Sequence, residues 1–351
     1  MKKRHQKLQY VNILLMLKFK KKMVEPRISV VILNYNGLQF LEPCLKSLLG
    51  STYRGFEVIL VDNGSKDGSV EYLEKNFSKE PRLKIIPLGK NHGFAMGNNI
   101  GYKYTNPNSE FIFFLNNDTE VENDCLEKII LKMEKDATIG AAQPKIRSMT
   151  DRKKIDAVGG IVDYYGRTWH RGFSEYDYGQ YDSVSETFYA QGAAIIVRRN
   201  VIEKIGLFDP VYFIYYEETD LCWRIWLAGY KVAVIPEAVV YHYGGGVMTQ
   251  KDPQKKYLMF FRLRRNHITT MLKNYSLPNI FKYTLPFLAM MLVTAIKWSL
   301  SEERVKARAY YSAFLWVFSH IGLIVRRRRF IQKIRKISDE ELMSKMKRPT
   351  S

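Results

Sequence analysis

"FIFFLNNDTEVE" (residues 111–122) passes within one residue from an apolar run, Phe111 to Leu115, into Asn116, Asn117, Asp118, Thr119 and Glu120. The run predicts a strand over 110–115 buried on both faces, and such a strand has no structural use for a carboxylate at its exit. Outward from it, "ISVVIL" (28–33), "FEVILVD" (56–62) and "LKIIPL" (83–88) read as further buried strands. Helical patterns separate them: "LEPCLKSLLG" (41–50), stopped by Gly50, "DGSVEYLEKNF" (67–77), residues 94–104 and "DCLEKIILKMEKD" (124–136). Continuous apolar strands alternating with amphipathic helices predict an α/β fold, a mostly parallel sheet with helices on both faces. Ligands of such sheets sit outside the carboxyl ends of the strands. Asn34, Asp62 and Asp118 each fall at or just past a predicted strand end, so three strands deliver polar groups to one edge.

In the second half, "IDAVGGIVD" (155–163) is strand-like, residues 164–187 form a Tyr-rich loop, and "TFYAQGAAIIVRR" (187–199) predicts another strand. Glu217, Glu218 and Asp220 then open a helix that runs to Ala228 and stops at Gly229. Carboxylates in a first turn suit the helix dipole. Three within four positions, with Arg224 opposite, exceed what capping requires.

The chain of 351 residues is 46% hydrophobic and 13% aromatic, a composition that buries a core rather than staying disordered. A net charge of +20 points toward nucleic acid until it is located. Residues 1–27 carry nine Lys/Arg against one acid and residues 251–351 twenty-two against six, leaving 28–250 at −4. An acidic body with basic ends is not a phosphate-tracking groove, so no nucleic-acid partner is expected. Three regions follow: a basic N-terminal extension (1–27), a central domain (28–250) and a basic, apolar helical region (251–351). Cys44, Cys125 and Cys222 share no close spacing, which fits a reducing compartment and offers no zinc or disulfide framework.

"YTLPFLAMMLVTAI" (283–296) and "AYYSAFLWVFSHIGLIV" (309–325) are apolar runs bordered by Lys282, Lys297, Arg308 and the arginines 326–329. Both are shorter than the ~20 residues of a straight span. They read as interfacial or re-entrant helices held by anionic headgroups, or as buried helices closing a soluble body. On the membrane reading the arginine run marks the cytoplasmic face. No small-residue cleavage site follows the apolar centre of residues 1–23, which disfavours a secretory signal; a surface-binding extension and a start at Met23 both remain open.

The common cofactor motifs are missing: there is no G-x-x-x-x-G-K-[ST] and no G-x-S-x-G, and the glycines of "GFAMGNNIG" (93–101) do not make G-x-G-x-x-G. What remains is acidic. Asp118 at a strand end, with the helical carboxylates, suits a divalent cation (Mn2+ or Mg2+) that bridges a diphosphate and stabilises it as a leaving group. A carboxylate of the Glu217/Glu218/Asp220 cluster would act as base on an alcohol.

"SVVILNYNG", "VDNGSKDGS", "NHGFAMGNN", "FLNNDTE" and "YYEETDLCWRIWLAGYKVAVIPEAVVYHYGGG" occur in an order and spacing that resemble family 2 glycosyltransferases of the GT-A fold, a Rossmann-like architecture. The resemblance covers residues 28–250 and is strongest to rhamnosyltransferase-like members that build cell-surface polysaccharide; the tail 326–343 also looks like their membrane-associated end. It implies that Asp62 binds the nucleotide base, helped by the chain near Asn34 and Tyr35, with Asn91 and Asn99 along the nucleotide-sugar. The family's metal-binding D-x-D falls on Asn116-Asn117-Asp118, where Asn replaces the first Asp, so Asp118 becomes the main metal ligand; His242 matches a further ligand. The family's E-D pair falls on Glu217-Glu218, with Glu at the catalytic position. Glu218 is then the expected base, Asp220 the fallback, and Arg224 either a phosphate contact or an ion-pair partner of Asp220.

The implied reaction is inverting transfer from a nucleoside-diphosphate sugar, with dTDP-rhamnose favoured by resemblance, to a lipid-linked or glycan acceptor. No Q-x-x-R-W follows the acidic cluster, unlike processive synthases of the cellulose or chitin kind. The competing expectations are a nucleotidyltransferase, for which "NYNGLQF" lacks the Gly-rich and basic loop, and a catalytically silent binding module of a membrane assembly.

Overall fold

The computed structural model describes residues 25–244 and 252–348; the N-terminal extension up to residue 24, with Met23, lies outside the described residues. In the first half β1 (Ile28–Asn34), β2 (Phe56–Asp62), β3 (Leu83–Pro87) and β4 (Phe111–Asn116) alternate with α1 (Leu38–Leu49), α2 (Ser69–Phe77) and α3 (Gly93–Tyr102). These strands pair in parallel in the order β3-β2-β1-β4. Next come β5 (Thr119–Val121), α4 (Cys125–Lys135), β6 (Ile139–Ser148), β7 (Ile155–Ala157), β8 (Gly160–Val162) and β9 (Thr168–His170). β10 (Ala194–Arg198), α5 (Arg199–Ile205), α6 (Glu217–Leu227) and β11 (Lys231–His242) complete the central region. One nine-stranded sheet runs β3-β2-β1-β4-β10-β6-β11-β5, with β7 against β6.

The strands are apolar throughout because both faces are covered. Val31, Ile59, Val61, Ile112 and Phe114 enter one core, and Val30, Ile32, Val58, Leu60 and Phe113 the other. Each such side chain contributes about 1.5–3 kcal/mol on burial. β10 enters antiparallel to both β4 and β6, so the second half of the sheet is mixed rather than parallel. The expected strand 155–163 is two strands, interrupted at Gly159, φ 81°, and β8 pairs in a separate two-stranded sheet with β9, which lies inside the predicted loop. The spaced glycines of α3 serve close packing. A Cβ on Gly97 or Gly101 would stand 2.5 Å from Leu33 or Val31 of β1.

Beyond residue 252 run α7 (Pro253–Asn274), α8 (Leu277–Ser299), α9 (Arg304–Ser319), α10 (Ile321–Ile334) and α11 (Asp339–Ser344). α7 starts at Asp252, whose carboxylate caps the amides of Gln254 and Lys255. Its last turns bury Arg265, Asn266, His267, Lys273 and Asn274 against the central domain, so the region after 250 reaches into the body of the fold. The run 283–296 lies in α8, which among the described residues is the one helix long and apolar enough to cross a membrane. The run 309–325 breaks at His320 between α9 and α10. Phe287, Met291, Ala295, Tyr310 and Ala313 pack inward, while Leu292, Val293, Ile296, Leu315 and Phe318 stand exposed. Of the arginine run, Arg328 turns inward and donates to the Leu272 carbonyl at 2.9 Å, and Arg327 lies 3.7 Å from Asp209.

Candidate active site

The parallel register sets Asn34 opposite Asp62 and Leu33 opposite Asn116, which gathers three strand exits at one edge. A hydrogen-bond chain crosses them. Asn117 Nδ2 donates to Asn34 Oδ1 at 2.6 Å, and Asn34 Nδ2 donates to Asp62 Oδ2 at 2.9 Å and Ser65 Oγ at 3.1 Å. Asp62 Oδ1 accepts the amides of Gly64 and Ser65 at 3.1 and 2.9 Å. Asp62, expected to meet a nucleotide base, is thus 1% exposed and builds the turn after β2. Tyr35, 49% exposed, and Asn36, also exposed, present free surface at this edge. Asn91 Oδ1 accepts from the Gly93 amide at 2.8 Å and from Asn63 Nδ2 at 3.2 Å. Asn99 Nδ2 donates to the Phe208 carbonyl at 2.7 Å and leaves its Oδ1 buried without a partner. Asn63 and Ser65, which tie these loops together, lie inside "VDNGSKDGS" beside Asp62.

Asp118 and His242 are distant in sequence and adjacent in space. β5 and β11 pair antiparallel with Thr119 opposite His242, and the Tyr243 amide donates to the Asp118 carbonyl at 2.9 Å. His242 Nε2 stands 3.4 Å from Asp118 Oδ1, and Nδ1 stands 2.8 Å from Asp156 Oδ2. Burial alone would lower the imidazole pKa, but the flanking carboxylates Asp118 and Asp156 outweigh it and hold the ring up at about 9. Asp118 Oδ1 is buried with no hydrogen-bond partner. An unsatisfied carboxylate oxygen facing an imidazole nitrogen is a donor set suited to a divalent cation. Among the described residues no three or more His, Cys, Asp and Glu are placed so as to hold a metal ion together. Asp118 and His242 are the two side chains that meet at this edge of the sheet.

The acidic cluster sits at the start of α6, behind a strained loop. Phe213, Tyr215 and Tyr216 adopt φ of 62°, 75° and 69°, conformations that cost about 1–3 kcal/mol each unless the surroundings impose them. α7 imposes them. Asn266 Nδ2 donates to the carbonyls of Tyr212, Ile214 and Tyr215 at 3.0, 2.9 and 2.7 Å, and Arg265 to those of Val211 and Tyr212 at 2.8 and 2.9 Å. Asn266→Ala is therefore expected to lower unfolding free energy by about 1–3 kcal/mol, measured by urea denaturation, since it strands buried carbonyls.

Burial raises the pKa of each of the first two carboxyls of the helix. Glu217 is 4% exposed with Oε2 unpaired, and burial together with Glu218 raises its pKa well above the usual range. Glu218, partly exposed, is pushed up by burial to about 7. Asp220 does not keep the fallback role expected of it, and Arg224 takes the second of its two expected roles, the ion-pair partner of Asp220. Asp220 is 0% exposed; burial would raise its pKa, but Lys273 and Arg224 hold it down at about 2, so it has neither the access nor the basicity of a fallback base. Arg224 donates from Nε to Asp220 Oδ2 at 2.9 Å and from its terminal nitrogens to the carbonyls of Ile205, Gly206 and Leu207 at 2.8, 2.8 and 2.7 Å. Four of its five N–H groups are thus used inside the protein, and the side chain is 5% exposed.

Residues 191–193, just before β10, join these parts. The Ala193 carbonyl accepts from the Asn116 amide at 2.9 Å. Gln191 Nε2 donates to Asp156 at 3.2 Å. A Cβ on Gly192 would stand 3.9 Å from Glu218 Cγ and 3.6 Å from the Phe94 ring. One short segment thus bonds to the β4 exit and to the His242 support, and its Gly192 runs beside Glu218. The candidate residues fall into two groups, the carboxyls that open α6 and the Asp118–His242–Asp156 set.

The family model described as glycosyl transferase family 2 matches residues 29–206, β1 through α5. A relative, the N-acetylglucosaminyl-diphospho-decaprenol L-rhamnosyltransferase of Mycobacterium tuberculosis, is 25% identical over 248 residues, 64% of this chain and 78% of that protein. Among solved structures, GalNAc-T7 with UDP, GalNAc and Mn2+ aligns with a TM-score of 0.60 at 17% identity, over 87% of this chain and 58% of that one. A mannosyltransferase from Pyrobaculum calidifontis in complex with GDP-Man and Mn2+ aligns with a TM-score of 0.52 at 15% identity, over 88% and 86%. At these identities the structural likeness speaks for the fold alone.

Proposed function

The chain belongs to glycosyl transferase family 2, is a glycosyltransferase of the GT-A fold acting on nucleotide-sugar donors, and on that premise we propose that it performs an inverting, metal-dependent, non-processive transfer. The observation that carries this reading is Glu218: a partly exposed carboxyl with its pKa lifted to about 7, beside Gly192 in the segment 191–193 that also bonds to Asn116 and Asp156.

In the proposed step ionised Glu218 takes the proton of an acceptor hydroxyl. The freed oxygen attacks C1 of the donor sugar, the bond from C1 to the diphosphate oxygen breaks, and the configuration at C1 inverts. The nucleoside diphosphate leaves with the bonding electron pair. Asp118 and His242 would hold Mn2+ or Mg2+, which when bound supplies positive charge against the departing diphosphate. Tyr35 offers its exposed ring to the nucleoside over a floor built by Asn34, Asp62 and Asn117, with Asn91 and Asn99 placed along the sugar. Glu217 lies beside Glu218 but is 4% exposed, which leaves Glu218 as the more accessible carboxyl of the pair.

The acceptor is proposed to be lipid-linked and the site to work at the cytoplasmic face of a membrane. The exposed apolar faces of α8 and α9, Leu292, Val293, Ile296, Leu315 and Phe318, flanked by Lys282, Lys297 and Arg308, have the composition of an interfacial surface. Rhamnose is the favoured sugar because the M. tuberculosis relative is named a rhamnosyltransferase.

The test is thermal stability with dTDP, UDP, GDP and CMP, each with and without Mn2+ or Mg2+. A nucleotide at a hundred times its Kd stabilises by about 2.7 kcal/mol. The expected result is metal-dependent stabilisation by one nucleoside diphosphate. A folded protein stabilised by none of them would overturn the reading in favour of a silent binding module.

A further inference from the structure

Asp156 has no part in the reading above, yet its placement is specific. It lies on β7 with its side chain 13% exposed, and Oδ2 accepts from both His242 Nδ1 at 2.8 Å and Gln191 Nε2 at 3.2 Å. Gln191 is itself fixed: its amide donates to Gln143 Oε1 at 2.6 Å, and Gln143 Nε2 donates to the Ala157 carbonyl at 3.2 Å. Asp156 is therefore held by β6, β7 and the segment before β10. His242 is the last residue of β11, and the contact to Asp156 is the closer of the two that fix its ring. With Nδ1 anchored, Nε2 faces the unpartnered Asp118 Oδ1 at 3.4 Å.

We propose that Asp156 is a positioning residue: it locks the His242 ring through Nδ1 so that Nε2 and Asp118 form a preset two-ligand clamp for a divalent cation. The inference rests on the metal reading of this site. Asp156 acts from behind the ring and is not itself a ligand, since Nδ1 and Nε2 face opposite ways. Carboxylate partners of metal-ligating histidines typically govern metal affinity by 10–100-fold. Nothing in "IDAVGGIVD" (155–163) marks this role in the sequence, because the partner lies 86 residues away.

The test is Mn2+ binding to the full chain, followed by the electron paramagnetic resonance of unbound Mn2+, alone and with the nucleoside diphosphate that stabilises most. Asp156→Ala is expected to weaken Mn2+ binding 10–100-fold and to raise the Mn2+ needed for half-maximal transfer by the same factor, with kcat at saturating Mn2+ far less affected. Asp156→Asn keeps an oxygen acceptor for Nδ1–H and should recover part of the affinity; it also decides the matter if the alanine variant does not fold. A merely structural role would lower the melting temperature of the metal-free protein and leave Mn2+ affinity unchanged. Variants that fold and bind Mn2+ within about twofold of wild type, well inside that 10–100-fold range, overturn the role alone. Wild-type protein that takes up no Mn2+ under either condition overturns the metal reading, and this role with it.

Discussion

Glu218→Gln is expected to cut transfer by 10²- to 10⁴-fold, the usual contribution of a positioned general base, while stabilisation by donor nucleotide persists. The same carboxyl sets the pH dependence. Burial lifts its pKa to about 7, so the ionised, working form accumulates as pH rises. In wild type kcat/KM should climb about tenfold per pH unit below 7 and level off above it; in the variant that limb should vanish. Stability runs the opposite way. A carboxyl whose folded pKa is raised contributes stability fully present below the unfolded carboxylate range and lost as pH rises through about 7. Above pH 7 the variant should therefore unfold at a higher temperature than wild type, even though it is inactive. Full activity in Glu218→Gln would remove Glu218 as base. The search would then move to Glu217, because Asp220 is buried in an ion pair.

The parallel half of the sheet was legible because its signal is local: apolar runs such as Phe111–Leu115 are buried on both faces, whatever lies elsewhere in the chain. The polar strand exits followed from topology, since parallel strands all end at one edge. What local pattern cannot report is pairing across the chain. β10 turned antiparallel, and "IDAVGGIVD" split at Gly159. Asp156 could not be linked to His242, nor Asn266 to the loop before Glu217, because both contacts are made by elements far apart in sequence. Asp220 and Arg224 show a further limit. An i,i+4 pair on a helix reads the same whether it faces a ligand or a buried lysine, and here Lys273 of α7 decides that it is structural.

Lys273→Met is expected to lower unfolding free energy by about 3–5 kcal/mol, the cost of breaking a buried ion pair from one side. Lys273 is 1% exposed, with Nζ 2.8 Å from Asp209 Oδ2 and 3.1 Å from Asp220 Oδ1. Methionine fills similar volume, so packing should survive and the loss should be electrostatic. The pH dependence separates the two. Asp220 is held at about 2 by Lys273 and Arg224, so it contributes stability that is present above the unfolded carboxylate range, about 4, and lost as pH falls through about 2. Without the lysine its carboxylate is less favoured, so urea titrations should show a gap between wild type and variant that is widest near pH 7 and narrows toward pH 3. A pH-independent gap would mean that packing, not charge, is what Lys273 supplies. The position of the pair gives the result a functional meaning. Asp220 sits two residues after Glu218 on α6, Lys273 belongs to the helix that also holds the strained loop 213–216, and Arg327 of α10 approaches the same Asp209. Weakening this pair should therefore lower transfer in step with stability while leaving the acid limb set by Glu218 in place, because the base is carried by a helix whose attachment has loosened and not by a changed base.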